Sequence, residues 1–568
     1  MKNSIRTIAF LFCLLVGPAW ADVQPRSDFQ FSGFETLAIQ DRGRVKPFQT
    51  FAKESVLYIT GKSTWNGMSA VEVVLGWLIA FEAEWETEPF IRIDHQGLKT
   101  KVGLEPSRKY FTPEEVRTNP EFQKLVSEAI SKERRRELLS EVEKKAKQVQ
   151  NQRGLLESIV SGSGLSILPN PLGVDKDWYS LASLAEGGTV PFSRTQLEQL
   201  SVSMRDVLKS FLDRNAQQWN EASLGFVQFI RNDLGASAYP KMSQIQQEIH
   251  YNELRPFRLS WILYLVAFIL LLWHGVTSKK IVKTISLSVL SLGFLVHCYG
   301  FVLRCLIAER PPVTNMYESV IWVSWGCVLF AGIVYLQYKN TVILTASSVF
   351  AVVGLVLADN LPSVLDAGIH PLEPVLRSNF WLTIHVLSIT LSYAAFAVSL
   401  CLGNVVIGNY LFRPTNTQAS QEYSLYMYRA MQIGVILLAA GTILGGVWAD
   451  YSWGRFWGWD PKEVWALVAL LLYLAVLHGR FTGWLRGFGF AATTVIAFLG
   501  VLMAWYGVNF VLGVGLHSYG FGSGGVGWVS AYLFAQLAFI AVGYVRYRKA
   551  AKDQKIDRSI FPKGGGVS

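Results

Sequence analysis

Residues 448–465 read Trp448-Ala-Asp-Tyr-Ser-Trp453-Gly-Arg-Phe-Trp457-Gly-Trp459-Asp460-Pro-Lys-Glu463-Val-Trp465. Five of the chain's 19 tryptophans fall within these 18 residues. Tryptophan gathers where hydrocarbon meets water. Asp460, Pro461 and Glu463 stand where the N-cap, first and third positions of a following helix belong. Capping accounts for Asp460. It does not account for so many indoles in one glycine-interrupted segment, because interfacial aromatics are ordinarily spread over many helix ends. A broad, flat, apolar surface is what a planar ligand needs. On either side lie apolar runs at 430–448 and 464–482, each long enough at ~1.5 Å per residue to cross a bilayer core of ~30 Å.

The same length test, carried outward, gives nine spans, at 259–275, 283–303, 317–337, 341–358, 380–403, 430–448, 464–482, 488–511 and 527–545. Charge divides the chain accordingly. Residues 22–258 carry 30 Lys/Arg and 31 Asp/Glu, whereas 259–568 carry 20 and 11. The expected fold is therefore an all-α polytopic membrane protein with a soluble N-terminal domain. The net charge of +10 is no argument for nucleic acid, since the membrane half supplies +9 of it. Lys2 and Arg6 precede the apolar run from Ile8 to Val16, and Ala19-Trp20-Ala21 has the small residues of a cleavage site. Residues 1–21 thus read as a signal peptide, and the domain at 22–258 as extracytoplasmic. Nine crossings from outside leave the basic tail, 546–568, in the cytoplasm. Of the basic residues beyond 258, 15 then lie on the inner side and 5 on the outer, as orientation in a bacterial inner membrane by the positive-inside tendency requires.

Within the soluble domain the pattern is mainly helical. Gly61 to Glu88 suggests one or two short helices, Thr112-Pro113-Glu114-Glu115 an N-terminus leading into a long helix or helical hairpin to about Val160, and Gly162 to Gly188 a loop. Helical pattern resumes from Ser193 to about Leu234. Beyond Cys13, the four cysteines fall in or beside apolar segments without a CxxC pair. They read as structural thiols, not as a zinc site or disulfide frame.

Six of the eight histidines lie in or near the membrane half. His385, four residues after Trp381, and His517, in the loop after the eighth span, share the depth of the tryptophan-rich segment. Two imidazoles and a flat aromatic shelf resemble an axial-ligand set for haem iron, with Trp453, Trp457 and Trp459 gripping the ring edge. Separate hydrogen-bonding histidines are the plainer alternative. His478 is 15 residues past Glu463, ~22 Å deeper, and His274 is 13 past Trp261, ~20 Å deep. A second, inner pair is thus conceivable, with His297 as a shallower competitor. His370 is expected to fix a turn, and His95 and His250 to be structural.

The segment from Trp453 to Trp465 closely resembles the WWD signature of the CcsA/ResC family, the haem-handling component of System II cytochrome c maturation. Other stretches resemble it in order: Pro312-Val-Thr-Asn315-Met-Tyr317-Glu318-Ser319, Trp381-Leu-Thr-Ile-His385-Val with Ser392-Tyr393-Ala394, and Asn509-Phe-Val-Leu-Gly-Val-Gly-Leu-His517-Ser-Tyr519-Gly520. The resemblance covers nearly all of 259–545. It implies that His385 and His517 ligate haem b at the outer face and that His478 helps haem enter from the inner side. It also implies export of haem and its attachment as thioethers to the CxxCH cysteines of apocytochrome c. Upstream, Leu37-Ala-Ile-Gln40-Asp41-Arg42-Gly43-Arg44-Val-Lys46-Pro47 and Tyr251-Asn252-Glu-Leu-Arg-Pro-Phe resemble the region preceding the CcsA part in fused CcsB-CcsA proteins. Those fusions also carry a large ResB/CcsB domain that this sequence does not show. A separate ResB/CcsB-like partner is therefore expected to complete the inner site, with replacement by His274 or His297 as the alternative. Two other classes remain open: a bis-histidine cytochrome b carrying electrons, which would need no tryptophan segment, and a permease for a non-haem solute, which would show internal repeats and helices broken at the midplane.

Overall fold

The computed structural model describes residues 24–552 apart from 174–175, 186–189, 236–238, 363, 372–377, 415–416 and 514–524. The proposed signal peptide, Cys13, His517 and most of the basic tail lie outside the described residues. The chain divides between Glu253 and Leu254 into two compact units.

The N-terminal unit is helical, with two small two-stranded antiparallel sheets, Ala38–Asp41 with Arg44–Pro47 and Ile91–Arg92 with Tyr110–Phe111. Its core is aromatic: Trp77 stacks on Phe90 at 5.2 Å, Trp219 on Phe34 at 5.5 Å, and Trp77, Trp85 and Trp219 are fully buried. The two upstream stretches come together here. Arg44 pairs with Glu248 at 2.7 and 2.9 Å, and Asn252 donates to Thr50 Oγ1 at 2.9 Å.

Thr112 does cap a helix, with Glu115 closing the capping box, but that helix stops at Thr118. Pro120 is the reason. The residue before a proline is driven out of helical conformation, and Asn119 (φ −73°, ψ 111°) ends Pro113–Thr118 while capping Pro120–Arg134. A further capping box, Ser140 with Glu143, starts Glu141–Val160. The stretch expected as a long helix or helical hairpin is thus three helices, of which the last two form the hairpin.

The second unit contains nine helices long and apolar enough to cross a membrane, counted among the described residues. The apolar part of the first is Pro256–Thr277. Lys280–Ala308, Met316–Tyr338, Val342–Asn360, Thr383–Phe412, Gln418–Trp453, Pro461–Phe481, Gly487–Leu512 and Val526–Lys552 follow as the second to ninth spans. The number matches the sequence reading. The fifth span is the hub, packing on the third, fourth, sixth, eighth and ninth. Its Ser392, Ala394, Ala395, Ala397, Ser399 and Gly403 let neighbouring backbones approach closely, which in lipid stands in for hydrophobic association. The first span packs chiefly on the second and fourth, pinned by a two-bond pair from Arg258 to Asp359 at 2.7 and 2.8 Å.

Arg304, one residue beyond the 283–303 span read from the sequence and so counted there among the five outer basic residues, lies inside the helix Lys280–Ala308. It makes a fully buried ion pair with Glu318 of the third, at 2.8 Å. Arg304 Nη1 also donates to Ala367 O at 3.0 Å, and Thr314 donates its N–H and hydroxyl to Glu318 Oε2, both at 2.7 Å. Cys298, Cys305, Cys327 and Cys401 are free thiols.

Two outcomes follow from these charges. Glu318→Ala leaves Arg304 buried without its counter-charge and is expected to cost about 3–5 kcal/mol; the Arg304→Met, Glu318→Leu double variant should recover most of that in detergent unfolding. In the N-terminal unit, the Lys132 ammonium and the Ser140 cap hold the Glu143 carboxyl down at about 2. A depressed carboxyl stabilises the fold above its unfolded value of ~4.3 and stops doing so as pH falls toward 2. Amide protection in Glu141–Val160, corrected for intrinsic exchange, should therefore drop from pH 5 toward pH 2, and less so in Glu143→Gln.

Candidate functional site

The fifth span is entered through Trp381 and a single π-helical turn, Leu382–Val386. Such turns are rare and concentrate at functional sites, and this one carries His385. His385 Nδ1 lies 2.8 Å from the carbonyl oxygen of Gly441 on the sixth span. A carbonyl oxygen only accepts, so Nδ1 bears the ring proton in this contact. Donation of the other N–H to a backbone carbonyl is how metal-bound histidines are usually oriented. Trp448 meets the imidazole edge-on, with ring centroids 5.7 Å apart.

Small residues on the sixth span make this approach possible. A Cβ at position 445 would overlap His385 Cε1, and one at 441 would stand 2.6 Å from Ile389 Cγ1. Sequence reading passed over both glycines, although Gly441 and Gly445 have the GxxxG spacing of close helix pairs.

His385 opens onto a cavity of ≈ 180 Å³. The walls come from stretches far apart in sequence: 313–319 of the third span and its approach, 385–393 of the fifth, 442–466 across the sixth and seventh, and 505–509 of the eighth. The eighth span ends in a longer π-helical segment, Met503–Leu512, which brings in Trp505 and Asn509. Trp505 Nε1 donates to Ser319 Oγ at 2.8 Å, joining the eighth span to the third.

The tryptophan-rich stretch is less of a loop than its glycines suggest. The sixth helix continues through Trp453, and the seventh begins at Pro461. Asp460 is buried and caps it, accepting from the Lys462 N–H at 3.1 Å, while Glu463 Oε2 accepts from the N–H groups of Gly458 at 2.8 Å and Asp460 at 3.2 Å. Trp453 and Trp457 line the cavity together with Trp448. Trp459 stands against Trp457 edge-on at 6.1 Å, and is 72% exposed with a left-handed backbone (φ 58°). Trp465 is half-buried on the seventh span and is not part of the wall.

The deeper histidines are not gathered at this cavity. His297 is buried between the first and second spans, with Nδ1 3.2 Å from Tyr264 Oη and its ring stacked on Phe301. His274 is half-buried near the end of the first span, and its carbonyl accepts from the Ser278 N–H. His478 is exposed on the seventh span, its Nδ1 donating to Leu474 O at 2.7 Å. That span packs on the sixth and eighth, so its chief neighbours differ from those of the first span. His370 does close a turn, with Asp366 at 2.9 Å, and His95 Nδ1 caps a helix by accepting from the Leu98 N–H.

Residues 313–517 match the family model described as Cytochrome C assembly protein. The chain is 32% identical over 302 residues to cytochrome c biogenesis protein CcsA of Synechococcus sp. (strain CC9902), covering 47% of this chain and 98% of that protein. The chain belongs to the CcsA family of cytochrome c biogenesis proteins. A CcsA of Prochlorococcus marinus (strain MIT 9303) is 33% identical over 265 residues, 40% of this chain and 82% of that one. Protein NrfI of Wolinella succinogenes is 30% identical over 523 residues. That match takes in 86% of this chain, hence part of the N-terminal unit as well, but the chain spans only 54% of NrfI's length. All four stretches that wall the cavity fall inside the matched region.

Gly445→Ala should force the His385 ring from its place and lower the yield of c-type cytochrome assembled in cells severalfold. Gly332→Ala, where an added Cβ meets nothing within 4 Å, should leave that yield unchanged.

Proposed function

We propose that the protein carries haem b across the membrane, presents it in the His385 cavity and promotes its attachment to the CxxCH cysteines of apocytochrome c. The observation that carries this reading is the convergence of four separated family stretches on one aromatic cavity, at whose wall His385 is already oriented by the Gly441 carbonyl. Trp448, Trp453 and Trp457 offer the flat apolar contact a porphyrin needs. His385 and His517 would hold the iron, and Trp459, which is exposed, would meet the ring edge or the client protein.

Bound between imidazoles, haem turns its vinyl groups toward the incoming thiols. Each thiol adds across a vinyl double bond: sulfur bonds to one carbon and the thiol hydrogen passes to the other, so no oxidant or reductant is consumed. His478 faces outward from the bundle, which suits an inner haem site completed by a histidine of a ResB/CcsB-like partner. In this reading the buried His297 serves packing, and the System II complex sits in the cytoplasmic membrane with the N-terminal unit and the cavity at the outer face and the C-terminus inside. A bis-histidine electron carrier is disfavoured, because the spans bearing His274 and His478 have different chief neighbours.

The test is the haem spectrum of the purified protein co-expressed with a ResB-like partner. Wild type is expected to show the absorption band of a bound iron porphyrin. His385→Ala and His517→Ala should each weaken it, the double variant should abolish it, and free imidazole should restore part of it in the single variants. Equal haem in all four proteins would remove these ligands, and none in any would bring the permease reading forward.

A further inference from the structure

The cavity has a polar pole as well as an aromatic wall. Lys462, at the second position of the seventh helix, lines it, whereas the other basic residue of the tryptophan stretch, Arg455, is exposed and lies against Gly458, where an added Cβ would strike its guanidinium. The partner the structure gives the Lys462 ammonium is an uncharged oxygen, Asn509 Oδ1, at 3.3 Å. Asn509 is held for this by donating its own Nδ2–H to Trp505 O at 3.0 Å. The carboxylate next along the chain, Glu463, is engaged by the Gly458 and Asp460 N–H groups. The Asp460 carboxylate that caps the helix is the negative charge near this ammonium, but the hydrogen bond the ammonium makes is a long one to a neutral oxygen, so an anion that bonds it directly is favoured in an aromatic cavity. The amino end of the helix adds positive potential at the same place.

From this placement we infer that Lys462 receives a propionate carboxylate of the porphyrin, and so decides which edge of the macrocycle enters first. The inference rests on the haem reading above and deepens it. Haem b carries its two propionates on one edge and its two vinyl groups toward the opposite one. Holding the carboxylate edge at Lys462 while His385 takes the iron would turn the vinyl edge away from the ammonium. A charge-assisted bond of this kind, at a site sheltered from water, is worth more than the neutral contact to Asn509 that it replaces.

The experiment compares binding of iron protoporphyrin IX and of its dimethyl ester, whose propionates carry no charge, to the purified full chain with its partner. Wild type should prefer the free acid by about tenfold or more, the range of a hydrogen bond to a charged group. Lys462→Met should bind the acid only as well as the ester, Lys462→Arg should keep much of the preference, and His385→Ala should weaken both porphyrins alike while keeping their ratio. If Lys462→Met retains the wild-type ratio, or if wild type shows no preference between acid and ester, Lys462 is not the carboxylate's partner even though the haem site stands. Failure of wild type to bind either porphyrin would overturn the haem reading and this inference with it. The ester comparison within wild type needs no substitution, so a misfolded variant does not blunt the test.

Discussion

The contact between the fifth and sixth spans sets the terms for everything built around it. Gly441 and Gly445 bring the sixth helix against the π-helical turn of the fifth, close enough for His385 Nδ1 to reach the Gly441 carbonyl. A Cβ on either glycine would part the helices. The same approach leaves Trp448 edge-on to the imidazole and Trp448 and Trp453, at the end of the sixth helix, lining the cavity. A single steric allowance therefore fixes the imidazole's orientation and the aromatic wall beside it.

The opposite wall is held by charge. Arg304 and Glu318 are fully buried, and each spends its remaining hydrogen-bonding capacity on backbone or hydroxyl groups nearby, Ala367 O for the arginine and Thr314 for the glutamate. Thr314 and Ser319 belong to the cavity, so the ion pair positions its third-span side, and Trp505 ties that side to the eighth span. A buried pair of this sort gives specificity of arrangement more than stability. Here it holds a loop and two helices in register beside the site.

Much of this was legible beforehand, for definite reasons. Hydrocarbon forces each crossing to be a long apolar helix with its backbone bonds internal, so nine spans could be counted from length alone. Asp460, Thr112 and His370 were readable because caps and turns depend on neighbours within a few residues. Other features were not legible because they depend on packing. The break at Asn119 was available in Pro120 and was overlooked. The helical state of the sixth span through Trp453 was hidden by the glycines that follow it, and Arg304 looked like a loop charge because its partner lies on another helix.

The sequence by itself determined the set of long apolar helices, the helical character of the N-terminal unit and the motifs by which the CcsA family is recognised. These rest on hydropathy, local capping and residue order. Only the tertiary structure decided that residues near 315, 385, 453, 462 and 509 share one cavity, that Lys462 and not Arg455 supplies its cation, and that His297 is packed away from it. The physical reason is range. Apolar length and capping act along the chain, whereas a cavity is bounded by helices whose rotation and depth are set by small-residue contacts and buried charge pairs between segments far apart in sequence.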